Sequence, residues 1–313
     1  MCDILAFSID FIIRSLYDKI SKETSVTYYE REGVFTMKAI IYYYSGTGNS
    51  LYTAEKIAGK IGSATLVSVR CDPDQVSAED ADMIGFVCPV YEWDMPGMFR
   101  EFIKKLTINP NAYIFMCATY IAIHGKCFET AENILARKGA HLSYARSIRC
   151  VASQCTAYPP FPPEKIMLPY MDKQIEKAAS EIADKTPRDY PHMSKFWRKR
   201  YDSTMGPYLA VEHEYDKGFY TDDRCKSCGI CQKVCPNRNI TMKDGHPVWN
   251  HNCHGCNACV AYCPTKAIQF KTPQAYKDLG TPISKILCLP EKRKRYHHPT
   301  IKAKDLMSDK KEI

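Results

Sequence analysis

The 313-residue sequence predicts an α/β protein in which a doubly wound parallel sheet is followed by a small cysteine-rich domain. Two observations support this prediction. Five apolar segments alternate with helical segments between residues 37 and 185, which is the pattern of a parallel sheet covered on both faces. Eight of the 16 cysteines then fall between Cys225 and Cys263. At about 100–200 residues per domain, the length accommodates both parts.

The elements follow one another in a regular order. Residues 37–44 form the first predicted strand, because they are apolar and rich in β-branched and aromatic side chains. Further apolar runs predict strands at 64–69, 82–88, 112–119 and 142–151. Apolar residues with helical spacing predict helices at 49–61, 97–106, 127–138 and 167–185.

The same pattern sets the domain boundaries that we expect. Residues 1–36 form an N-terminal extension with two open explanations: translation starts at Met37, or the extension is a genuine helix that packs elsewhere. The remaining boundaries are 37–186 for the sheet domain, 187–215 for a linker rich in aromatic and charged residues, 216–270 for the cysteine domain and 271–313 for a basic C-terminal tail.

Two cysteine runs share one spacing. Cys225-x2-Cys228-x2-Cys231-x3-Cys235-Pro236 is followed by Cys253-x2-Cys256-x2-Cys259-x3-Cys263-Pro264. This spacing is typical of bacterial [4Fe–4S] sites, in which the fourth cysteine of each run binds the other cluster. The sequence therefore predicts two clusters. The expected ligands are Cys225, Cys228, Cys231 and Cys263 for the first, and Cys253, Cys256, Cys259 and Cys235 for the second.

Other uses of so many cysteines fit less well. Structural zinc also binds Cys-x2-Cys pairs, but it does not require three such cysteines followed by Cys-Pro, twice. A secreted disulfide scaffold would be shorter, and Asp3 and Asp10 interrupt any secretion signal. Clusters with a purely structural role remain an alternative. We therefore expect metal-bound thiolates in a reducing cytoplasm.

The net charge of +8 is weak support for a nucleic-acid partner. Each oxidised cluster with its four thiolates contributes about −2, so two clusters lower the net charge to about +4. The basic run at 291–295 is expected to be a solvated part of the tail, with binding of an acidic partner as the alternative. No segment has the roughly 18 uninterrupted apolar residues of a membrane span, so neither nucleic acid nor a membrane is expected as a partner.

A polar loop directly follows the first predicted strand and opens a helix. Its sequence is Ser45-Gly46-Thr47-Gly48-Asn49-Ser50. Glycines allow the backbone to approach a phosphate closely, while hydroxyls and the N–H groups of a helix N-terminus bind its charge. The loop matches neither a Walker A motif nor the dinucleotide fingerprint, since residue 51 is Leu. It predicts a monophosphate site, with an ordinary helix-capping turn as the alternative.

Two further loops should lie at the same edge of the sheet, because parallel strands end there together. One follows the third strand and contains Pro89, Tyr91 and Trp93. The other follows the fourth strand and begins with Thr119 and Tyr120. Both loops carry aromatic side chains where a flat ring would lie. The alternative is that Tyr91 and Trp93 only cap the core.

These motifs carry a resemblance. Residues 37–185 resemble flavodoxin, which binds FMN and whose phosphate loop has the same Ser/Thr-Gly-Thr-Gly-Asn-Ser/Thr form. Residues 37–306 resemble the flavodoxin–ferredoxin fusion family of anaerobic bacteria and archaea in domain order, linker length and both motifs. The resemblance implies a flavodoxin-like five-stranded sheet with strand order 2-1-3-4-5 and a bacterial-type 2[4Fe–4S] ferredoxin domain.

The resemblance also implies roles for individual residues. Residues 45–50 would hold the FMN phosphate, and Tyr91 and Trp93 would lie against or near the isoalloxazine ring. The backbone near Thr119 and Tyr120 would line the other edge of the ring. Residues 120–125 depart from the glycine-rich loop of the relatives, which leaves the flavin contact there open.

The cysteines outside the two runs have separate expectations. Cys88, Cys117 and Cys150 fall within predicted strands and are expected in the core. Cys127 and Cys155 follow predicted strands closely enough that they could lie by the flavin edge, where a redox-active thiol would be possible.

Together these features predict an electron-transfer protein that passes electrons between FMN and two [4Fe–4S] clusters and on to a redox partner protein. A flavin-dependent reductase with its own small-molecule substrate is the main alternative, although no acid–base pair stands out for it. An Fe–S redox sensor is a third hypothesis. The sequence leaves open whether the protein is a carrier or an enzyme, which partners it has and which oligomer it forms.

The protein purified without oxygen should contain about eight irons per chain, four for each cluster, and one releasable FMN. Iron and flavin analysis of the purified protein checks both numbers. An iron content of about four would contradict the second cluster. Absence of flavin after anaerobic reconstitution would contradict the resemblance to flavodoxin and leave the cluster prediction intact.

Overall fold

The computed structural model describes residues 37–313, apart from the side chains of Asp202, Thr204, Pro282 and Ile283. The extension at 1–36, with its two explanations, lies outside the described residues. Residues 37–313 form one compact unit, so contacts between its N-terminal and C-terminal parts can be described.

The N-terminal part alternates strands with helices. Its strands are β1 (Ala39–Tyr43), β2 (Ala64–Ser68), β3 (Ser77–Ala78), β4 (Met83–Pro89), β5 (Thr107–Ile108), β6 (Tyr113–Tyr120) and β7 (Tyr144–Arg149). Its α-helices are α1 (Asn49–Ile61), α2 (Gly97–Lys105), α3 (Cys127–Ala136) and α4 (Glu164–Ala183). A short 3-10 helix covers Pro73–Gln75. Strands β3 and β5 pair with each other outside the main sheet.

Five parallel strands form the main sheet in the order β2-β1-β4-β6-β7. This confirms the predicted order 2-1-3-4-5. Both faces of the sheet are covered, because alternate residues of a strand point to opposite sides. In β1, Ile40 and Tyr42 join a core with α2 and α3, whereas Ile41 and Tyr43 join a core with α1 and α4.

Residues 195–218 form a helical segment between the sheet and the cysteine runs. Helix α5 (Lys195–Ala210) begins after Ser194, whose hydroxyl accepts a hydrogen bond from the Trp197 N–H, and a 3-10 helix (Glu212–Gly218) follows. Trp197 packs edge-on against Trp93 with ring centroids 5.1 Å apart. Tyr208 lies 6.3 Å from the Tyr276 ring on the other side. The segment therefore contacts both neighbouring parts of the chain.

The cysteine runs lie on a small α+β framework with two antiparallel pairs. Its elements are β8 (Phe219–Thr221), α6 (Ile230–Val234), β9 (Ile240–Lys243), β10 (His246–Trp249), α7 (Ala258–Ala261) and β11 (Ile268–Phe270). Strand β8 pairs with β11, and β9 pairs with β10. The ends of the framework are thereby joined, because β8 precedes the first run and β11 follows the second.

The C-terminal residues return to the sheet of the N-terminal part. They contain α8 (Gln274–Asp278), α9 (Pro282–Ile286), α10 (Ala303–Met307) and β12 (Lys310–Glu312). Strand β12 pairs antiparallel with β2, which makes a sixth strand in the main sheet of residues 37–313. Lys311 also forms an ion pair with Glu55 of α1 at 2.7 Å. The sequence shows no periodicity in this stretch, and the sixth strand was not predicted.

Within residues 37–313, no helix combines the length and the apolarity that crossing a bilayer requires.

Replacing Gly85 by Ala should destabilise the fold, because a β-carbon at this position of β4 would collide with the buried Phe115 ring. Overpacking of this kind costs about 1–3 kcal/mol. A matched control is Gly59→Ala in α1, where a β-carbon would contact nothing within 4 Å. There the helix should gain about 0.5–1 kcal/mol, since Gly is a poor helix former. Anaerobic thermal unfolding measures both changes, and equal Tm values for the two variants would contradict the packing argument.

Candidate functional site

The polar loop after β1 ends at the N-terminus of α1. Gly48 takes the N-cap position with φ of +98° and makes no side-chain cap hydrogen bond of its own. One N–H group near the helix start is satisfied locally, since the Ser45 hydroxyl accepts from the Leu51 N–H at 3.3 Å. An uncapped helix N-terminus directs N–H groups and partial positive charge at an anion. The loop therefore fits the predicted phosphate group.

Side chains of the loop are held by neighbouring strand ends. Thr47 donates to the Ser153 hydroxyl at 2.8 Å, and the Ser50 hydroxyl shares a 2.8 Å hydrogen bond with Thr119 at the end of β6. The Asn49 amide donates to the carbonyl of Val151 at 3.1 Å. These bonds fix the loop against the carboxyl edge of the sheet.

A cavity of about 270 Å³ opens beside this loop. Ten of the eleven residues predicted to bind the flavin line it: Ser45, Gly46, Thr47, Asn49, Ser50, Pro89, Tyr91, Trp93, Thr119 and Tyr120. The eleventh, Gly48, is turned away, and a β-carbon on it would contact Ile301, Tyr262 and His298. The structure therefore brings the predicted residues together around one space that fits a flavin and its phosphate.

Trp93 is presented by a tight turn. Tyr91 and Asp94 exchange backbone hydrogen bonds of 2.8 and 2.9 Å, and the two residues between them, Glu92 and Trp93, have φ of +47° and +59°. Non-glycine residues with positive φ carry a conformational cost that surrounding contacts must offset. Gly125 provides one such contact, because a side chain there would collide with the Trp93 backbone.

The other half of the cavity wall comes from residues that sequence reasoning missed. They include Glu92, Cys150, Gln154, Tyr158, Met205, Tyr208, Glu212, Tyr215, His254, Cys256, Asn257, Tyr276 and Ile286. Most of them lie beyond the sheet domain and come together only through the packing of α5, the following 3-10 helix and the second cysteine run. The aromatic content of residues 187–215 was the available signal, and it does not specify a site.

Acidic side chains lie within this half of the wall. Burial raises the pKa of Glu92 to about 7, and the neighbouring Glu212 carboxylate raises it further. Glu212 accepts or shares a hydrogen bond with the imidazole Nδ1 of His254. An acid–base group that the sequence did not reveal therefore borders the predicted flavin site.

The first thiol set consists of Cys225, Cys228, Cys231 and Cys263, which line one small pocket next to β8 and β11. The structure thus brings the last cysteine of the second run to the first three cysteines of the first run. Burial raises the pKa of Cys231 to about 11, and the other three thiols raise it as well. Cys228 is exposed to solvent, so this set lies at the surface.

The second thiol set consists of Cys235, Cys253, Cys256 and Cys259. Burial raises the pKa of Cys259 well above its usual value, and the other three thiols of the set act in the same direction. Backbone N–H groups donate to two of these sulfurs, from Asn239 to Cys235 at 3.3 Å and from Gly255 to Cys253 at 3.4 Å. In the described part of the chain, no group of three or more His, Cys, Asp or Glu residues is arranged to hold a single metal ion.

The backbone of the two runs repeats. Positive φ values occur at residues 227, 229 and 238 in the first run and at 255, 257 and 266 in the second. Each position is displaced by 28 residues, which is the separation of Cys225 and Cys253. The donor set fits iron–sulfur ligation, because bound iron would hold these thiols as thiolates and N–H groups already face the sulfurs.

The polar loop after β1 and the second thiol set are in contact. A β-carbon on Gly46 would lie 2.6 Å from the carbonyl oxygen of Cys256 and 2.9 Å from the Tyr91 hydroxyl. Tyr44, the last residue before the loop, donates to the Asn237 side chain at 3.3 Å. Burial raises the pKa of the Cys256 thiol to about 12, and the nearby Tyr44 hydroxyl lowers it. The cavity and the second thiol set therefore share a wall.

The remaining cysteines lie mostly where they were expected. Cys88, Cys117 and Cys150 are buried, and Cys150 also lines the cavity. Cys127 and Cys155 are likewise buried, and neither is among the residues that line the cavity. Cys127 lies in the core with its sulfur 4.0 Å from that of Cys88.

Comparisons with known proteins agree with the order of the two parts. Residues 40–147 match the family model described as a flavodoxin domain, and residues 224–268 match that of a 4Fe-4S dicluster domain. The chain therefore contains a flavodoxin domain, which implies FMN, followed by an iron–sulfur domain. None of the curated proteins matches the chain.

Several solved structures are similar to the N-terminal part. A flavodoxin from the domain Archaea has 17% identity over 48% of this chain and 98% of its own, with a TM-score of 0.34. The Megasphaera elsdenii flavodoxin has 18% identity over 45% of this chain and 98% of its own, with a TM-score of 0.32. A Fusobacterium nucleatum flavodoxin bound to flavin mononucleotide has 11% identity over 47% and 97%, with a TM-score of 0.34.

Replacing Glu92 by Gln should remove a pH dependence of stability. The unfolded chain releases the Glu92 proton near the usual pKa of 4.5, whereas the folded protein keeps it up to about 7. The stability that this carboxyl contributes is therefore complete below about pH 4.5 and is lost as the pH rises to about 7. Each kcal/mol lost corresponds to about 2–4 °C in Tm.

Anaerobic thermal unfolding of wild type, E92Q and the exposed control E176Q between pH 5 and 8 tests this expectation. The Tm of the wild type and of E176Q should fall relative to that of E92Q as the pH rises through this range. Parallel Tm curves for all three proteins would show that the Glu92 carboxyl does not titrate as expected.

Proposed function

We propose that this chain, which joins a flavodoxin domain to a 4Fe-4S dicluster domain, passes electrons between one FMN and two [4Fe–4S] clusters and on to a redox partner protein. FMN exchanges one or two electrons and each cluster exchanges one, so the pair converts between the two kinds of chemistry. The single observation that carries the proposal is the wall shared by the cavity and the second thiol set, at Gly46 and Cys256.

The residues of the chain have distinct parts in this proposal. The N–H groups at the start of α1 and the hydroxyls of residues 45–50 hold the phosphate. Tyr91 and Trp93 lie along the wall where the flavin ring would pack. The Tyr44 hydroxyl lowers the pKa of the Cys256 thiol, and polar groups around cluster ligands are among the factors that set a cluster's potential.

The two thiol sets occupy different depths. Cys256 of the second set lines the cavity. The Cys231 thiol of the first set is among the groups that raise the pKa of Cys259 in the second set, so the two sets are neighbours. Cys228 of the first set is exposed. We therefore propose an order that runs from the cavity to the second set, then to the first set, and then to a partner that docks at the surface near Cys228. A reducing cytoplasm is the expected location, since free cluster thiols persist there.

A second function is favoured by one observation. Glu92, Glu212 and His254 border the cavity, and an acid near a flavin could deliver the protons that a two-electron reduction of a small molecule requires. Under this alternative the protein is a flavin-dependent reductase. Turnover of small acceptors that needs no protein partner would distinguish it from a relay, and an anaerobic pull-down followed by reduction assays addresses the same question.

Replacing Cys228 by Ser should slow electron delivery to a protein-sized acceptor. The exposed first set is the proposed exit, so loss of one of its ligands should lower the rate of electron transfer by at least about tenfold. This figure is the lower end of the losses that changes around metal sites cause. The measurement mixes reduced holoprotein anaerobically with cytochrome c, a one-electron acceptor, and follows haem reduction by stopped flow.

Cys288→Ser is the matched control, because Cys288 is also exposed and lies outside both thiol sets. It should keep the wild-type rate. A Cys228→Ser protein that retains FMN and reduces cytochrome c as fast as the wild type would contradict the proposed exit.

A further inference from the structure

Arg295 ends the basic run that the sequence predicts to be solvated, yet two of its guanidinium nitrogens are buried. Its Nε and Nη1 have no hydrogen-bond partner among the described residues. A buried charge without a partner costs several kcal/mol, so compensating negative charge is expected nearby. Nothing in the sequence distinguishes this arginine from Lys292 or Lys294, both of which are exposed.

The chain holds Arg295 in place on both sides. Arg293 donates from Nη1 to the carbonyl oxygens of Cys155 at 3.0 Å and Cys288 at 2.6 Å. Tyr296 is buried and donates to the Asn49 side chain at 2.8 Å. The guanidinium between these two anchors is therefore positioned by the fold.

The protein groups near Arg295 do not supply the missing negative charge. Burial lowers its pKa, and the ionisable groups that act on it are Cys155, Cys263, Arg224 and Asp222. Both Asp222 oxygens already accept hydrogen bonds from Arg224, at distances from 2.5 to 3.1 Å. Burial raises the pKa of Cys155 to about 11, so its thiol is neutral at pH 7. The remaining candidate is Cys263 of the first thiol set. The fold brings this stretch of chain to it, because the His297 ring stacks on the ring of Tyr262, the residue before Cys263, with centroids 4.7 Å apart.

We propose that Arg295 is the internal counter-ion of the cluster bound by the first thiol set, and that it raises the midpoint potential of that cluster. The inference rests on the proposed function, because it requires that the first thiol set binds a [4Fe–4S] cluster. One-electron reduction makes the cluster and its thiolates about one unit more negative, from about −2 to about −3. A fixed cation near Cys263 would therefore attract the reduced state of the bound cluster more strongly than the oxidised state. No proton is needed to balance this step, and the electron comes from the reductant used in the titration.

Arg295→Gln tests the proposal in the holoprotein, by a redox titration with dithionite that is followed by electron paramagnetic resonance. At the wild-type midpoint potential of this cluster, the ratio of reduced to oxidised cluster should fall about tenfold, which is about 59 mV for a one-electron couple. The midpoint that moves should belong to the signal that Cys228→Ser alters, because Cys228 is in the first set. The other midpoint should move less.

Two variants make the outcome decisive. Lys292→Gln removes an exposed charge from the same run and should leave both midpoints in place. Arg295→Lys keeps the charge and should restore most of the wild-type midpoint. The proposal is overturned if Arg295→Gln retains its iron with unmoved midpoints, or if Lys292→Gln shifts them as far.

Iron analysis separates this inference from the proposed function. If Arg295→Gln binds too little iron for the titration, Arg295→Lys decides. A full iron content and a wild-type midpoint potential in Arg295→Lys support the counter-ion role. A low iron content in Arg295→Lys as well shows a packing role and overturns the proposal. Iron near four per chain in the wild type would instead mean that a cluster is missing, which counts against the proposed function itself.

Discussion

The contact between Gly46 and the backbone of Cys256 is the constraint on which the rest of the structure depends. The absence of a side chain at Gly46 lets the phosphate loop lie directly against a cysteine loop, since a β-carbon would come within 2.6 Å of the Cys256 carbonyl oxygen. Tyr44 and Tyr91 pack edge-on beside this contact with ring centroids 6.0 Å apart. The N-terminal sheet and the cysteine framework therefore form one wall, and the cavity is a product of both.

The C-terminal residues strengthen the same junction. The His298 N–H donates to the carbonyl of Thr47 at 2.8 Å, and the His298 ring stacks on Tyr52 of α1 at 3.9 Å between centroids. His297 stacks on Tyr262, next to the last cysteine of the second run. One stretch of chain thus contacts the loop at residues 45–50, the first helix and the cysteine framework, and its aromatic contacts help to hold the three together.

Sequence reasoning succeeded where the signal is local. The positions of the strands follow from hydrophobic runs, and their order follows from the resemblance that the local loop motif carries. The crossover of Cys263 to the first run follows from the short repeated cysteine motif. It failed where the position depends on distant packing. Gly48 belongs to the phosphate loop by sequence, but it faces Tyr262 and His298. Arg295 has the composition of a solvated run, and only the fold shows that part of its side chain is buried.

Strand β12 has a consequence for the order in which the molecule is made. Residues 310–312 complete the sheet by pairing with β2, and an edge strand left uncovered exposes unpaired N–H and C=O groups. Until residues 310–312 have been synthesised and have paired with it, the outer edge of β2 is therefore open. The cysteine framework lies between these two partners in the chain, so its residues are synthesised before the sheet can gain its sixth strand.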